Sequence, residues 1–188
     1  YFAMQGEKLA SQSEHADNLA TTIFGVFTLV KSLNPLEILK IPTPKELYTI
    51  LLHPQVEIKT ASARAILPNN VPLGDAVIKW ANVGSLIHAL HTSDYGLIQR
   101  SLQDIIIEPY RSKLIPYFNE VKSAALKAGA LGCAISGSGP SIFMSSQGLE
   151  KAKAIEASIQ KLYSKTTIDF NLYVSPINTE GIKIMNNE

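Results

Sequence analysis

The sequence predicts an α+β fold, and three observations carry the prediction. From Leu47 onward the segments follow in the order strand, helices, strand, strand, helix, strand, which is the split βαβ arrangement of a ferredoxin-like domain with extra helices in its first crossover. Apolar residues recur at spacings of three and four along four stretches between Trp80 and Leu162, the pattern of helices that bury one face. Two short apolar runs, Cys133-Ala134-Ile135 and Ile142-Phe143-Met144, flank Ser136-Gly137-Ser138-Gly139-Pro140-Ser141, which reads as strand, tight turn, strand.

The chain opens with helical spacing in Phe2 and Leu9, then reaches Glu14-His15-Ala16-Asp17-Asn18 and a strand at Val26-Phe27-Thr28-Leu29-Val30. Asp17 and Asn18 stand where side chains commonly cap a helix, and with His15 they also offer donors and acceptors to a small polar ligand; both readings stay open. Residues 32–44 form a connector punctuated by Asn34-Pro35, Pro42 and Pro44, with a short strand at 38–41. A boundary at 42–45 divides the chain into an expected segment 1–44 and an expected domain 45–188.

Leu47-Tyr48-Thr49-Ile50-Leu51-Leu52 reads as a buried strand, His53-Pro54-Gln55 as a turn, and Val56-Glu57-Ile58 as renewed strand. Residues 59–68 predict a helix capped by Thr60 and stopped by Pro68, with Arg64 four residues on and so on the same face as Thr60. A guanidinium presents a planar fork of donors suited to a carboxylate, although an arginine held in solvent is the plainer reading. Helical stripes follow in Trp80, Val83, Ile87 and Leu90; in Tyr95, Ile98, Leu102 and Ile105; in Leu114, Phe118, Val121, Ala125 and Ala128; and in Leu149, Ala152, Ile155, Ile159 and Leu162. All four are expected to be core. In Glu108-Pro109-Tyr110-Arg111 the proline breaks the helix and leaves Arg111 near the start of the next one. Gly129 ends the third helix, and Phe170-Asn171-Leu172-Tyr173-Val174-Ser175-Pro176 and Gly181-Ile182-Lys183-Ile184 read as strands.

Composition narrows the classes of function. With 46% hydrophobic and 18% charged residues the chain is an ordinary globular protein rather than a disordered one. Its 17 basic and 16 acidic residues give a net charge of +1 with no basic cluster, which argues against nucleic acid and anionic membrane as partners. The single cysteine, Cys133, excludes an intrachain disulfide and fits a reducing compartment. His88 and His91 lie three apart but lack the further ligands of a zinc site. The glycine-serine turn can bring backbone close to a ligand and present amides to an anion. It lacks the third glycine of a dinucleotide-binding loop, and no Gly-Lys-Ser/Thr occurs in the chain.

Residues 134–143, Ala-Ile-Ser-Gly-Ser-Gly-Pro-Ser-Ile-Phe, resemble the third signature of the GHMP small-molecule kinases. Three further stretches resemble the homoserine kinases within that superfamily: His15-Ala16-Asp17-Asn18, residues 59–68, and Glu108-Pro109-Tyr110-Arg111. The resemblance implies transfer of the γ-phosphoryl group of ATP to the side-chain hydroxyl of L-homoserine, a step toward threonine, in the cytoplasm. It implies that Arg64 and Arg111 grip the substrate carboxylate, that Asp17 accepts from its ammonium or hydroxyl, and that His15 and Thr60 orient it. Asn18 would lie close to the transferring phosphate, Gly137 would line the substrate site, Ser138 and Gly139 would support the phosphate loop, and Glu7 would bind Mg²⁺. The superfamily's Pro-x-x-x-Gly-Leu-Gly-Ser-Ser-Ala loop for the ATP phosphates occurs nowhere in the chain, which opens on Tyr1 rather than Met. The expectation is therefore a C-terminal portion: the end of a ribosomal-protein-S5-like nucleotide-binding domain followed by the GHMP C-terminal domain, inactive without the missing N-terminal portion. A homodimer is common among such kinases. Competing readings are a mevalonate-type member of the superfamily and a ferredoxin-like amino-acid-binding domain that regulates a partner.

Overall fold

The computed structural model of the protein describes residues 3–6 and 16–183, and these fall into two compact units. One unit holds the described residues up to Pro44 together with 177–183; the other runs from Lys45 to Pro176. Backbone pairing ties 177–183 to the first unit: Val26 N–H donates to the Asn178 carbonyl at 2.7 Å and Ile182 N–H to the Ile23 carbonyl at 3.3 Å. Gly25 lies at a φ of +64°, where a Cβ would stand 2.6 Å from the Gly181 nitrogen, so the two glycines let the segments cross backbone on backbone. Residues 181–183, expected as a strand, join no sheet.

In the first unit α1 (Ala16–Phe24) leads into an antiparallel hairpin of β1 (Phe27–Leu33) and β2 (Leu36–Ile41). The helix buries Ala16 and Ala20, four apart.

The second unit is the α+β core. Its sheet has the order β4 (Gly132–Ile135), β5 (Ile142–Gln147), β3 (Leu47–Pro54), β6 (Phe170–Pro176), with every neighbouring pair antiparallel. Numbered along the unit as first to fourth, the strands lie 2-3-1-4, the ferredoxin-like order expected from the element sequence. β3 is central and alternates, with Ile50, Leu52 and Pro54 buried. Against this face pack α6 (Phe118–Lys127), through Phe118, Val121 and Ala125, and α7 (Leu149–Tyr163), through Ala152, Ile155, Ile159 and Tyr163. These spacings of three and four match the stripes read from the sequence. Tyr163 is fully buried and its hydroxyl donates to the Pro116 carbonyl at 2.9 Å, which offsets the cost of burying it.

Four expectations fail locally. The strand through β3 continues over His53 and Pro54 instead of turning there; the chain leaves the sheet afterwards, where Val56 N–H turns back to the Pro54 carbonyl and Gln55 N–H bonds Asp169. Residues 56–58 therefore join no strand. The second stripe does not form one helix: α4 (Tyr95–Ser101) ends where Leu102 leaves helical angles (φ −82°, ψ 57°), and beyond it the Asp104 carboxylate accepts from the amides of Ile106 and Ile107. The third stripe is broken at Ile115 and Pro116, so Leu114 sits in a separate 3₁₀ turn ahead of α6. Finally, the stripe of α3 (Leu73–Thr92) is not core along its length: Ala89 and Leu90 are buried, but Trp80 is 64% exposed and Val83 42%.

Candidate functional site

Three segments of the second unit that are distant in sequence meet at one arginine. The first is α2 (Thr60–Ala65). Thr60 opens it rather than capping it: the cap position is Lys59, whose carbonyl accepts from Ala63 N–H at 3.0 Å, and no side chain caps the end. Ala63 is fully buried, which anchors the helix, while Thr60 and Arg64 lie exposed on either side of it in sequence. The second segment is α5 (Glu108–Arg111), a single turn that starts at Glu108. Pro109 does not break this turn but begins it, since its fixed φ and missing N–H suit a first helical turn. Arg111 ends it.

From there the Arg111 guanidinium reaches both neighbours. Its Nε donates to the Ala63 carbonyl at 3.0 Å and its Nη1 to the Gly137 carbonyl at 3.1 Å. A guanidinium carries five N–H donors, so Arg111 stitches α2 to the glycine-serine turn and keeps donors that have no protein acceptor among the described residues. The planar fork serves two carbonyls in fixed directions while keeping its charge.

The third segment is the turn 136–141. It is closed by Ser136 N–H to the Ser141 carbonyl at 2.8 Å and by Gly139 N–H to the Ser136 carbonyl at 3.1 Å. Its two glycines differ. Gly139 (φ +86°) faces the interior, where a Cβ would meet the Ile115 Cδ1 at 3.0 Å. Gly137 (φ +61°) faces open space, with nothing within 4 Å of where a Cβ would stand. Room for a ligand therefore exists over Gly137, beside Arg111, and not over Gly139.

The sequence reading missed His53. Its Nδ1 lies 2.8 Å from Ser141 Oγ, tying the exit of the turn to the central strand. The pairing of Leu52 with Ile142 sets the register that brings His53 beside Ser141. A strand that continues through His53 would have signalled it.

Glu108 is held by Lys122 in a largely buried ion pair, and its second carboxylate oxygen is buried without a partner. Nearby, burial pushes the Cys133 thiol up to about 12, with Lys122 opposing and Glu108 adding to the push. Cys133 therefore stays a protonated packing residue and no nucleophile. Two hollows of the unit lie away from the arginine junction: one of about 740 Å³ along α6 at Asn119, Ser123 and Lys127, and one of about 540 Å³ behind α5 at Glu108, Lys122 and Cys133.

Asp17 and Asn18 sit in the first turn of α1, in the other unit. Asn18 N–H donates to Asp17 Oδ1 at 2.9 Å, and the Asn18 carbonyl accepts from the hydroxyls of Thr21 and Thr22. Both residues are exposed, and a carboxylate in this position is favoured by the helix dipole. Glu7 and His15 lie outside the described residues.

A fold of this order with an arginine bridging a short helix and a glycine-serine turn defines a class. Residues 86–165 match the family model described as GHMP kinases C terminal, so the chain carries a GHMP kinase C-terminal domain. Curated homoserine kinases are among its relatives. It is 49% identical over 98% of its length to "Homoserine kinase" of Chlorobium phaeovibrioides and 42% identical over 92% of its length to "Homoserine kinase" of Thermococcus kodakarensis. The chain spans 58% of the length of each of these curated relatives. Among solved structures, the homoserine kinase from Cytophaga hutchinsonii matches with a TM-score of 0.92 at 50% identity, over 96% of this chain and 57% of that one.

Proposed function

We propose that the chain forms the substrate-binding C-terminal portion of an enzyme that transfers the γ-phosphoryl group of ATP to the side-chain hydroxyl of L-homoserine, giving O-phospho-L-homoserine. The observation that supports this reading is the Arg111 bridge from the Ala63 carbonyl to the Gly137 carbonyl, which ties α2, the helix that carries Thr60 and Arg64, to the glycine turn. L-Homoserine is a small zwitterion with a terminal hydroxyl. Arg64 and the remaining donors of Arg111 hold its carboxylate, with charge assistance and planar geometry that an ammonium side chain lacks. Thr60 and His15 orient the molecule. Asp17 accepts from the ammonium or the hydroxyl and keeps the hydroxyl in line for attack, while Asn18 lies by the transferring phosphate.

Mg²⁺–ATP supplies the phosphoryl group and the neutralisation of its charge, so the protein contributes positioning and fixed donors rather than covalent chemistry. Glu7 is the residue assigned to the ion; among the described residues no three His, Cys, Asp or Glu side chains are grouped to hold a metal. Toward the nucleotide, Ser138 and Gly139 act by fixing the turn. The absent phosphate loop implies that residues 1–188 do not turn over by themselves. The single, buried cysteine fits a cytoplasmic setting. No described helix is long and apolar enough to cross a membrane.

The test is ADP release with ATP and either L-homoserine or mevalonate, from residues 1–188 and from an extended enzyme in which the reading frame ahead of Tyr1 is restored. The expected result is no turnover by 1–188 and turnover on L-homoserine alone by the extended enzyme. Turnover by 1–188 overturns the incompleteness, and a preference for mevalonate, which has a carboxylate but no ammonium, overturns the substrate.

A further inference from the structure

Arg111 closes a turn that cannot place it unaided. α5 has four residues, and none of them is fully buried. Forming a first helical turn orders several backbone dihedrals for one hydrogen bond, so a helix this short takes its position from what it is tied to. Downstream, the first core residue is Ile115, four residues past Arg111, with the 3₁₀ turn between them. Upstream, the Asp104 carboxylate holds the amides of Ile106 and Ile107, a contact internal to the same segment.

Glu108, at the other end of the turn, supplies the tie. Its carboxylate pairs with Lys122 of α6, and the two side chains are only 14% and 28% exposed. α6 is fixed to the sheet through Phe118, Val121 and Ala125, and the Lys122 ammonium stands 5.9 Å from the centre of the Phe118 ring, one helical turn back. The second oxygen of Glu108 is buried without a partner among the described residues, so Lys122 is what holds the carboxylate. Packing contributes little at this point, because the hollow of about 540 Å³ behind α5 leaves the turn unsupported on the side of Glu108 and Lys122.

Resting on the reading of Arg111 as a carboxylate-binding group, we propose that Glu108 and Lys122 are positioning residues for the transfer reaction: their ion pair fastens α5 to the core and so sets the direction in which Arg111 presents its remaining donors to the substrate. Glu108 and Arg111 are three residues apart, so a shift at one end of the turn moves the other with it. A guanidinium grips a carboxylate in a fixed planar geometry, and a displacement of about 1 Å at such a group can cost on the order of a hundredfold in rate. A buried ion pair adds little stability over an apolar pair of the same volume. Its loss therefore separates position from stability when both charges are removed together.

The experiment uses the extended enzyme and reads the KM for L-homoserine, the KM for ATP and the melting temperature of each variant. Lys122→Met leaves the Glu108 carboxylate buried and unpaired, so it lowers the melting temperature and raises the homoserine KM at least tenfold, with the ATP KM within twofold of the parent. The neutral pair Glu108→Gln with Lys122→Met recovers the melting temperature but keeps the raised homoserine KM, and Lys122→Arg, which still reaches the carboxylate, stays within threefold of the parent. In an Arg111→Ala background the neutral pair changes kcat/KM for L-homoserine less than twofold, because the group it positions is gone. A neutral pair that folds with the parent's homoserine KM, one that does not fold, equal rises in both KM values, or a loss that multiplies with that of Arg111→Ala overturns the proposal. Failure of the underlying reading shows separately, as an Arg111→Ala enzyme that keeps the parent's homoserine kinetics, and it overturns the proposal too.

Discussion

Arg111→Ala in the extended enzyme lowers kcat/KM for L-homoserine by two to three powers of ten. The change removes two hydrogen bonds from a charged donor, to Ala63 at 3.0 Å and Gly137 at 3.1 Å, as well as the donors proposed for the substrate. The two protein bonds act on stability, while hydrogen bonds from a charged donor to the substrate carboxylate contribute roughly 1.5–3 kcal/mol each, so losing the donors proposed for it costs about 3–4 kcal/mol. At about 1.4 kcal/mol for each factor of ten, that corresponds to the stated fall. Arg111→Lys does not rescue it, because a single ammonium nitrogen lacks the planar spread by which Nε and Nη1 each reach one carbonyl. Steady-state kinetics on both variants make the check, with circular dichroism to show that they fold. A folded Arg111→Ala enzyme within threefold of the parent would mean that the bridge is only structural dressing on the surface.

The second large effect falls on stability, and the two glycines of the turn separate it from function. Gly139→Val places a branched side chain at φ +86°, with its Cβ at 3.0 Å from Ile115, in contact with the core. Backbone strain of this kind costs on the order of 1–3 kcal/mol, before the clash with Ile115 adds to it. A total of about 3–4 kcal/mol lowers the melting temperature of residues 1–188 by roughly 6–16 °C, since each kcal/mol is worth about 2–4 °C at this size. Gly137→Ala is the contrast. It has the same sign of φ but meets no atom within 4 Å, so its cost is limited to the left-handed backbone, about 1 kcal/mol. In the extended enzyme the order reverses: Gly137→Ala intrudes on the open space beside Arg111 and raises the KM for L-homoserine. Thermal unfolding monitored by circular dichroism decides the first pair of numbers. Equal melting temperatures for the two variants would show that the turn is not packed on Ile115 in solution.

The sheet and the helices that cover its inner face were legible because period and composition act locally. Ile50 and Leu52, or Ile155 and Ile159, declare a buried face through their own spacing. Gly129 could also be read, since a left-handed residue after a helix is nearly always glycine, and its φ is +98°. What sequence reasoning lost was set at a distance or by a single competing side chain. Past the end of α4, Asp104 takes the amides of Ile106 and Ile107, and no periodicity reveals that local turn. Trp80 obeys the helical stripe that Leu90 obeys, yet one is exposed and the other buried. A stripe states that a face is apolar and says nothing of what covers it.

The site divides along the same line. Arg64, Arg111 and the turn at Gly137 could each be picked out as chemistry, one as a fork for carboxylates and one as a place where backbone lies open. The link from Arg111 to α2 through the Ala63 carbonyl could not, because a main-chain acceptor has no signature in the sequence. His53 was lost for a related reason: its partner Ser141 is chosen by strand register, 88 residues away.

The central claim is that Arg64 and Arg111 hold one carboxylate and that this carboxylate belongs to the amino-acid substrate rather than to the nucleotide. Arg64→Ala tests it most directly, through parallel KM measurements for L-homoserine and for ATP in the extended enzyme. A guanidinium–carboxylate pair is among the stronger polar contacts a protein makes. The account predicts at least a tenfold rise in the homoserine KM with the ATP KM within twofold of the parent. Equal rises for both substrates, or a rise for ATP alone, would contradict it.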